Sequence, residues 1–250
     1  MARRRFFVEA VESGQAELTG DEARHLTQVL RVETGQVYEI SDNNSLFLAE
    51  VITARKQHVV FQVLEQLTPP PPGPDVRLYL SLIKFDSLEL AIEKATELGV
   101  STIHLVESVR SEHGLEKAAE KRIVRWRRIA LEASQQSRRS KLPEIFEPVD
   151  FATALGDTAA VRLFLDEERT GEPLLSAVRP AESVSLLVGP EGGWTPQERS
   201  AAVAAGWTPV SLGDGILRAE TAAIAGLSIV SAVLATPSSA RAEVLQPQRT

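Results

Sequence analysis

Two glycine-bearing stretches late in the chain have the residue types and spacing that a ligand site needs. The first is Gly189-Pro-Glu-Gly-Gly193, behind the apolar run 184–188. The second is Gly213-Asp-Gly215, behind residues 209–212 and followed by Arg218 and Glu220. If the preceding runs are parallel strands, both loops lie at the carboxyl ends of a sheet, where ligands bind. A helix after the first loop is marked by Thr195 as N-cap, Pro196 at the first helical position and Glu198 closing a capping box. The loops are not phosphate cradles. No Gly-x-x-x-x-Gly-Lys-Ser/Thr occurs, and Gly213-Asp-Gly215 lacks the third glycine of the dinucleotide fingerprint. Two glycine loops equally suit ordinary strand-to-helix turns. Arg218 and Glu220 equally suit an ion pair within a loop at a helix start.

The elements that must position these loops alternate from residue 76 onward. Residues 76–83, 102–106, 160–165, 184–188 and 209–212 read as strands. Residues 87–98 read as a helix with Leu88, Ile92, Ala95 and Thr96 toward a core, stopped by Gly99. A long helix is expected over roughly 115–137, ahead of Pro143. Alternating strands and helices imply an α/β domain with a parallel sheet covered on both faces. Residues 221–235 are apolar nearly all round, so they must be buried on every side, and a second subunit would satisfy that.

Residues 1–68 read differently, as a small β-rich domain. Residues 5–9, 36–40, 46–52 and 58–64 are β-branched or aromatic runs of strand length, and Asp42-Asn-Asn-Ser45 is turn chemistry. Residues 20–31 read as a helix with Leu26, Val29 and Leu30 on one face. Pro69-Pro-Pro-Pro-Gly-Pro74 is a stiff spacer and the natural boundary. The expected division is 1–70, 75–236 and a disordered polar tail, 237–250.

At 250 residues, with 43% hydrophobic and 24% charged residues, the chain can bury a sizeable core. There are no cysteines, and His25, His58, His104 and His113 show no paired ligand spacing, so no metal site is expected. The arginines after Met1 have no long apolar core behind them, so no signal peptide is read, and 221–235 is too short to span a membrane. A cytoplasmic location follows by elimination. The net charge of −7 argues mildly against nucleic acid, but residues 117–141 hold nine basic residues against two acidic ones. That excess suits either an RNA-facing surface or a solvated helix face.

Gly189-Pro-Glu-Gly-Gly193 followed by Leu212-Gly-x-x-Ile-Leu-Arg-x-Glu-Thr-Ala222, about twenty residues apart, resembles the signature of the 16S ribosomal RNA (uracil-N3)-methyltransferase family of the SPOUT superfamily. Lys84, Lys94-Ala-Thr-Glu-Leu-Gly99, Val109-Arg-Ser111, Glu132-Ala-x-x-Gln-Ser-x-Arg139 and Pro143 extend the likeness, as do Arg3-Arg-Arg-Phe-Phe7 and residues 20–31. The likeness covers the chain from Arg5 to about Ala235. One departure is Gly215, where the family usually has Arg.

The resemblance implies a PUA-like β-barrel that grips RNA, followed by a SPOUT-type parallel sheet with a carboxyl-terminal trefoil knot and a homodimer around it. It implies S-adenosyl-L-methionine as cofactor and small-subunit ribosomal RNA, free or in the assembled subunit, as partner. Cofactor contacts are expected from Leu165, Gly189, Gly193, Leu212, Gly213, Ile216 and Leu217, with apolar walls for the adenine and backbone amides for its nitrogens; singly, Leu165, Leu212 and Ile216 read equally as core. Methyl transfer to uracil N3 needs an in-line approach, an unpaired base, and a donor for the charge that builds on the pyrimidine oxygens. Arg218 is expected to steady that charge or the RNA backbone, and Glu220 to accept the proton or orient Arg218. Arg5, Lys84, Lys94, Arg110 and Arg139 are expected at RNA phosphates, although Lys94 can equally pair with Glu93 or Glu97. A non-catalytic RNA-binding or ribosome-assembly protein of the same fold, a SPOUT enzyme acting on another RNA, and an unrelated nucleotide-dependent α/β enzyme are the competing readings.

Overall fold

The computed structural model describes residues 4–71, 73–112, 114–168 and 171–236. Arg3, His113 and the tail 237–250, all named above, lie outside the described residues. The chain divides into two compact units, and the division is not a single cut: residues 131–142 group with the first unit, 1–72, while 73–130 and 143–250 form the second.

The first unit is a five-stranded sheet in the order β1-β3-β4-β5-β2. Its strands are β1 (Arg5–Phe7), β2 (Gln15–Thr19), β3 (Val37–Ser41), β4 (Leu46–Arg55) and β5 (His58–Leu67). Only β1 and β3 pair in parallel. β2, polar at alternate positions, turns Ala16 and Leu18 inward onto Phe6, Leu26, Ile40 and Phe61. The turn after β3 is closed by Asp42, whose carboxylate accepts from the Asn44 and Ser45 amides at 2.9 and 2.6 Å.

The helix expected over 20–31 forms, but only α1 (Gly20–Arg24) is α-helical; His25–Val29 continues it as a π-helix. The Leu30 amide reaches back five residues to the His25 carbonyl, 3.1 Å, and the Val32 amide reaches Leu26, 3.0 Å. The wider turn carries Val29 away from the Leu26 face, so Val29 is 64% exposed rather than in the core.

The second unit is a sheet whose paired strands all run parallel, in the order β11-β13-β10-β12-β6-β7-β8, with β9 also on β7. In chain order its elements are β6 (Asp75–Ser81), α2 (Phe85–Glu97), β7 (Thr102–Glu107), α3 (Leu115–Glu120) and α4 (Ile123–Gln136), the last six residues of which count with the first unit. There follow β8 (Glu144–Ile145), β9 (Val149–Asp150), α5 (Phe151–Ala154), β10 (Val161–Leu165), β11 (Glu172–Pro173), α6 (Leu174–Ala177), β12 (Ser183–Val188), α7 (Pro196–Ala204), β13 (Thr208–Ser211) and α8 (Ala219–Ala235).

The strands are apolar on both faces because both are covered. Leu78, Leu80, Leu163, Leu165 and Leu186 share one core with Leu88 and Ile92 of α2, Trp126 of α4 and Leu227 of α8. The alternate residues Tyr79, Phe164 and Leu187 pack against Trp194, Ala202 and Trp207 on the other face. Each fully buried leucine contributes roughly 1.5–3 kcal/mol.

The single helix expected over 115–137 is two. It breaks at Lys121-Arg122, where the Arg122 amide turns to the Ala119 carbonyl, 2.8 Å. The break lets Ala119 and Trp126 both reach the core while Arg122 and Arg125 share Glu89. In α8, Ala223, Gly226, Leu227 and Val230 are buried, and a Cβ on Gly226 would meet the Leu186 Cδ2 methyl at 2.8 Å, so the glycine lets α8 approach β12 without displacing that side chain. Thr221, Ser228, Ala232 and Ala235 are exposed, so this chain alone leaves uncovered one face of α8, the helix for which a second subunit is the expected cover. Among the described residues no helix is long and apolar enough to cross a membrane, and no group of His, Asp or Glu could hold a metal ion.

Candidate active site

Strands β10, β12 and β13 are neighbours, so the loops that follow them meet. The register sets Leu165 beside Val210 and Phe164 beside Leu187, which brings all three carboxyl ends to one edge. Between the loops lies a cavity of about 300 Å³, at the lower end of the roughly 300–1,000 Å³ usual for small-molecule sites. Its wall comprises residues 165–167 after β10, 188–191 and Gly193 after β12, and 210–213, 215–219 and Ala222 around the β13 loop.

Leu165, Gly189, Gly193, Leu212, Gly213, Ile216 and Leu217 all line this one cavity, as do Arg218 and Gly215. Leu165 is also core, at 8% exposure, whereas Ile216 is 82% exposed and plain core does not describe it. Gly193 sits at φ 68°, and a Cβ there would fall 2.1 Å from Glu167 Oε1. Any side chain would therefore meet both an unfavourable backbone and a carboxylate.

The first loop is fixed by side chains that sequence reasoning did not assign. The Trp194 indole N–H donates to the Leu165 carbonyl, 2.9 Å, and the Trp194 amide donates to Glu167 Oε1, 3.0 Å. Thr195 and Glu198 form the expected capping box, and the second carboxylate oxygen of Glu198 accepts from the Val109 amide at 2.9 Å. Arg110, expected at a phosphate, is exposed and donates through Nη1 to the carbonyls of Gly192, 2.9 Å, and Trp194, 3.3 Å. The acidic run Asp166-Glu167-Glu168 directly after a strand was the missed signal. Arg199 binds all three, at 2.8 Å to Asp166 and 2.9 Å to Glu168, with Glu167 closest. Burial pulls the Arg199 guanidinium down, but the hydrogen bond to Asp166 and the surrounding charges outweigh it and leave it above its usual value. The wall thus carries Asp166, Glu167 and Glu191 against Arg218.

Arg218 is exposed at the N-cap of α8, and its carbonyl accepts the first helical hydrogen bond, from the Ala222 amide at 2.8 Å. Glu220 is buried in the first turn, 8% exposed, and does not line the cavity. No ion pair joins the two among the described residues.

The expected RNA contacts are placed variously. Lys84 is exposed at the N-cap of α2. Lys94 is held by Glu93, 2.7 Å, and Glu97, 2.9 Å, which raise its pKa in that order. Arg5 is buried against Glu39, 2.6 Å. Arg139 is half-buried and donates to the Lys141 carbonyl, 3.1 Å; burial pushes its guanidinium down to about 10, still protonated at neutral pH. Part of the exposed basic run also has partners within the protein, since Arg125 grips Glu89 at 2.6 and 2.7 Å and Arg127 donates to the Ile145 carbonyl.

A cavity at the carboxyl edge of a parallel sheet, walled by glycine loops, defines a small-molecule site on an α/β enzyme fold. The RNA methyltransferase domain family matches residues 70–231, and the RNA methyltransferase PUA domain family matches residues 18–64. The chain is 34% identical to ribosomal RNA small subunit methyltransferase E of Synechocystis, over 87% of this chain and 73% of that protein. It is also 34% identical to the protein of that name from Mycobacterium bovis, over 86% and 85%. The crystal structure of ribosomal RNA small subunit methyltransferase E from Neisseria gonorrhoeae, bound to S-adenosyl methionine, matches with TM-score 0.83 at 29% identity, over 92% of this chain and 98% of that one. The class is an RNA methyltransferase carrying an RNA-binding β domain. The chain belongs to the ribosomal RNA small subunit methyltransferase E family.

Proposed function

We propose that this protein binds S-adenosylmethionine in the cavity at the ends of β10, β12 and β13 and methylates N3 of one uracil in small-subunit ribosomal RNA. One observation carries the reading. All seven residues singled out as cofactor contacts, spread from 165 to 217, line one cavity of about 300 Å³. The donor set fits the cofactor: Leu165, Val188, Leu212 and Leu217 offer apolar walls for an adenine, and Asp166, Glu167 and Glu191 suit a ligand with a cationic sulfonium. When bound, that cofactor would supply an electrophilic methyl group to uracil N3, which gives up its proton in the exchange.

The chain's own residues orient and stabilise. The loop clamped by Trp194, Glu167 and Arg110 fixes the cavity wall and keeps water from reorganising there. Arg218, exposed at the cavity edge with no described ion pair, is placed to meet negative charge building on the uracil oxygens. Glu220 lies off the wall and is read as a positioning residue that supports the first turn of α8 behind Arg218.

The division into an RNA-gripping PUA-like barrel, 1–70, and a catalytic domain, 75–236, belongs to the same reading. So does a trefoil knot: β13 lies across β10 from β12, so the chain crosses back over β10 before forming its last loop. The uncovered face of α8 supports a homodimer. Lys84 and Arg139 remain the preferred phosphate contacts, and the reaction is placed in the cytoplasm on the small subunit or its RNA. Mass spectrometry of ribosomal RNA from cells with and without this protein tests the whole reading. Loss of one N3-methyluridine supports it, and an unchanged modification profile overturns it.

A further inference from the structure

A second cavity lies wholly within the first unit and has no part in the methyl-transfer site. It measures about 410 Å³ and is lined by residues 4–6, by His25 and Leu30, and by Glu132, Gln135, Gln136 and Arg138. Three stretches far apart in sequence build it: β1, the π-helical stretch and the residues that close α4. Two of these carry unusual backbone. The π-helix turns His25 and Leu30 to the cavity, and such single-turn widenings occur often at functional sites. Arg138 sits at φ 57°, where the Arg139 amide closes the helix end by reaching the Ser134 carbonyl, 3.0 Å. Glycine or asparagine normally occupies that position, and an arginine there is strained. Its guanidinium is instead held at the cavity by Glu39, 2.7 Å, and its carbonyl by Arg5.

The charge balance selects the ligand. Arg4, Arg5 and Arg138 line the cavity with one carboxylate, Glu132, and Arg5 and Arg138 both pair with Glu39; these arginines outnumber these carboxylates by one, and one phosphodiester carries one negative charge. Leu30 supplies an apolar wall, and the amides of Gln135 and Gln136 with the His25 ring supply the donors and acceptors that a base edge requires. We infer that this cavity captures one unpaired nucleotide of the RNA, its phosphate at Arg4 and Arg138 and its base against Leu30 and the His25 ring. The inference rests on the RNA reading above and adds a recognition point outside the methyl-transfer cavity.

The test uses the full chain and two exposed positions, Arg4→Glu with Gln136→Glu, whose side chains have no described partner to lose. A charge-matched control, Lys56→Glu with Gln57→Glu, lies on the β4–β5 turn and lines neither cavity. Binding is measured to deproteinised small-subunit ribosomal RNA and to a fully paired RNA duplex, with S-adenosylmethionine affinity and melting temperature alongside. The cavity pair is expected to weaken ribosomal RNA binding at least tenfold and duplex binding less than threefold, the control pair neither by more than threefold, with cofactor affinity and melting temperature unchanged. Equal losses in both pairs, equal losses on both RNAs, or no loss overturn the inference. A wild-type chain that binds the cofactor but neither RNA overturns it too, while leaving the cofactor site standing.

Discussion

The two cavities are of similar size and opposite construction. The methyl-transfer cavity is made by the ends of three strands adjacent in one sheet, and most of its wall is backbone and apolar side chain. The first-unit cavity is made by side chains from residues 4–6, 25–30 and 132–138, and its character is cationic. A pocket for a small, rigid ligand can be built from loop backbone because the sheet already fixes the loop ends. A pocket for one nucleotide of a long polyanion draws instead on guanidinium and amide side chains, which must be gathered from several elements.

The sharpest way to separate the two is Arg218→Ala. Removing the one cation among the described residues of the methyl-transfer wall is expected to lower turnover by about 100- to 1,000-fold. Cofactor affinity by calorimetry and ribosomal RNA affinity should both stay within about threefold. Turnover near the wild-type level would remove Arg218 from the chemistry. Glu220→Gln, in contrast, should retain most activity if Glu220 only supports the helix start; a loss as deep as that of Arg218→Ala would make it the proton acceptor instead.

Next in size is Gly193→Ala. With φ at 68° and a Cβ 2.1 Å from Glu167 Oε1, the loop must move. The strain is worth about 1–3 kcal/mol, so cofactor affinity should fall about tenfold or more. RNA binding through the first-unit cavity should not change. If cofactor affinity survives, the loop is softer than its clamp by Trp194 and Glu167 implies.

Smaller again is Arg110→Ala. Its two hydrogen bonds to the Gly192 and Trp194 carbonyls hold the loop, and their net worth is about 1–3 kcal/mol together. Cofactor affinity should drop several-fold with little change in the salt dependence of RNA binding. A change mainly in that salt slope would return Arg110 to the phosphate role expected from sequence.

The difference in construction also explains what could be read in advance. The alternation of strand and helix, the boundary near Pro69 and the meeting of two glycine loops follow from periodicity and local motifs, which act over a few residues. What escaped depends on partners distant in sequence. Val29 leaves the core because the helix widens to a π-turn at His25, and nothing in the apolar spacing signals that. The helix break at Lys121-Arg122 has no proline or glycine to announce it; Glu89, some thirty residues earlier, anchors both flanking arginines. The return of residues 131–142 to the first unit rests on Arg5, Ser41 and Asn43, about a hundred residues away. The first-unit cavity inherits that illegibility, since no two of its three stretches are neighbours in the chain.

The smallest effect expected lies away from both cavities and assigns acid sensitivity to the sheet of the second unit. His104 is stacked between Tyr79 and Phe146, with centroids 4.3 and 4.5 Å away, and its Nε2 lies 3.1 Å from Thr102 Oγ1. Burial lowers its pKa, and the nearby charge of Asp157 only partly opposes that. The folded chain therefore holds a neutral imidazole where the unfolded chain, with an ordinary histidine, takes up a proton. The unfolded state binds more protons between the lowered folded pKa and about 6.5, so stability is full above that window and falls as the pH drops through it. Between pH 7.5 and about 5.5 the melting temperature of the second unit should decline in the wild type and decline less in His104→Phe, which keeps the stacking and removes the titration. An identical slope in both proteins would place the sensitivity elsewhere.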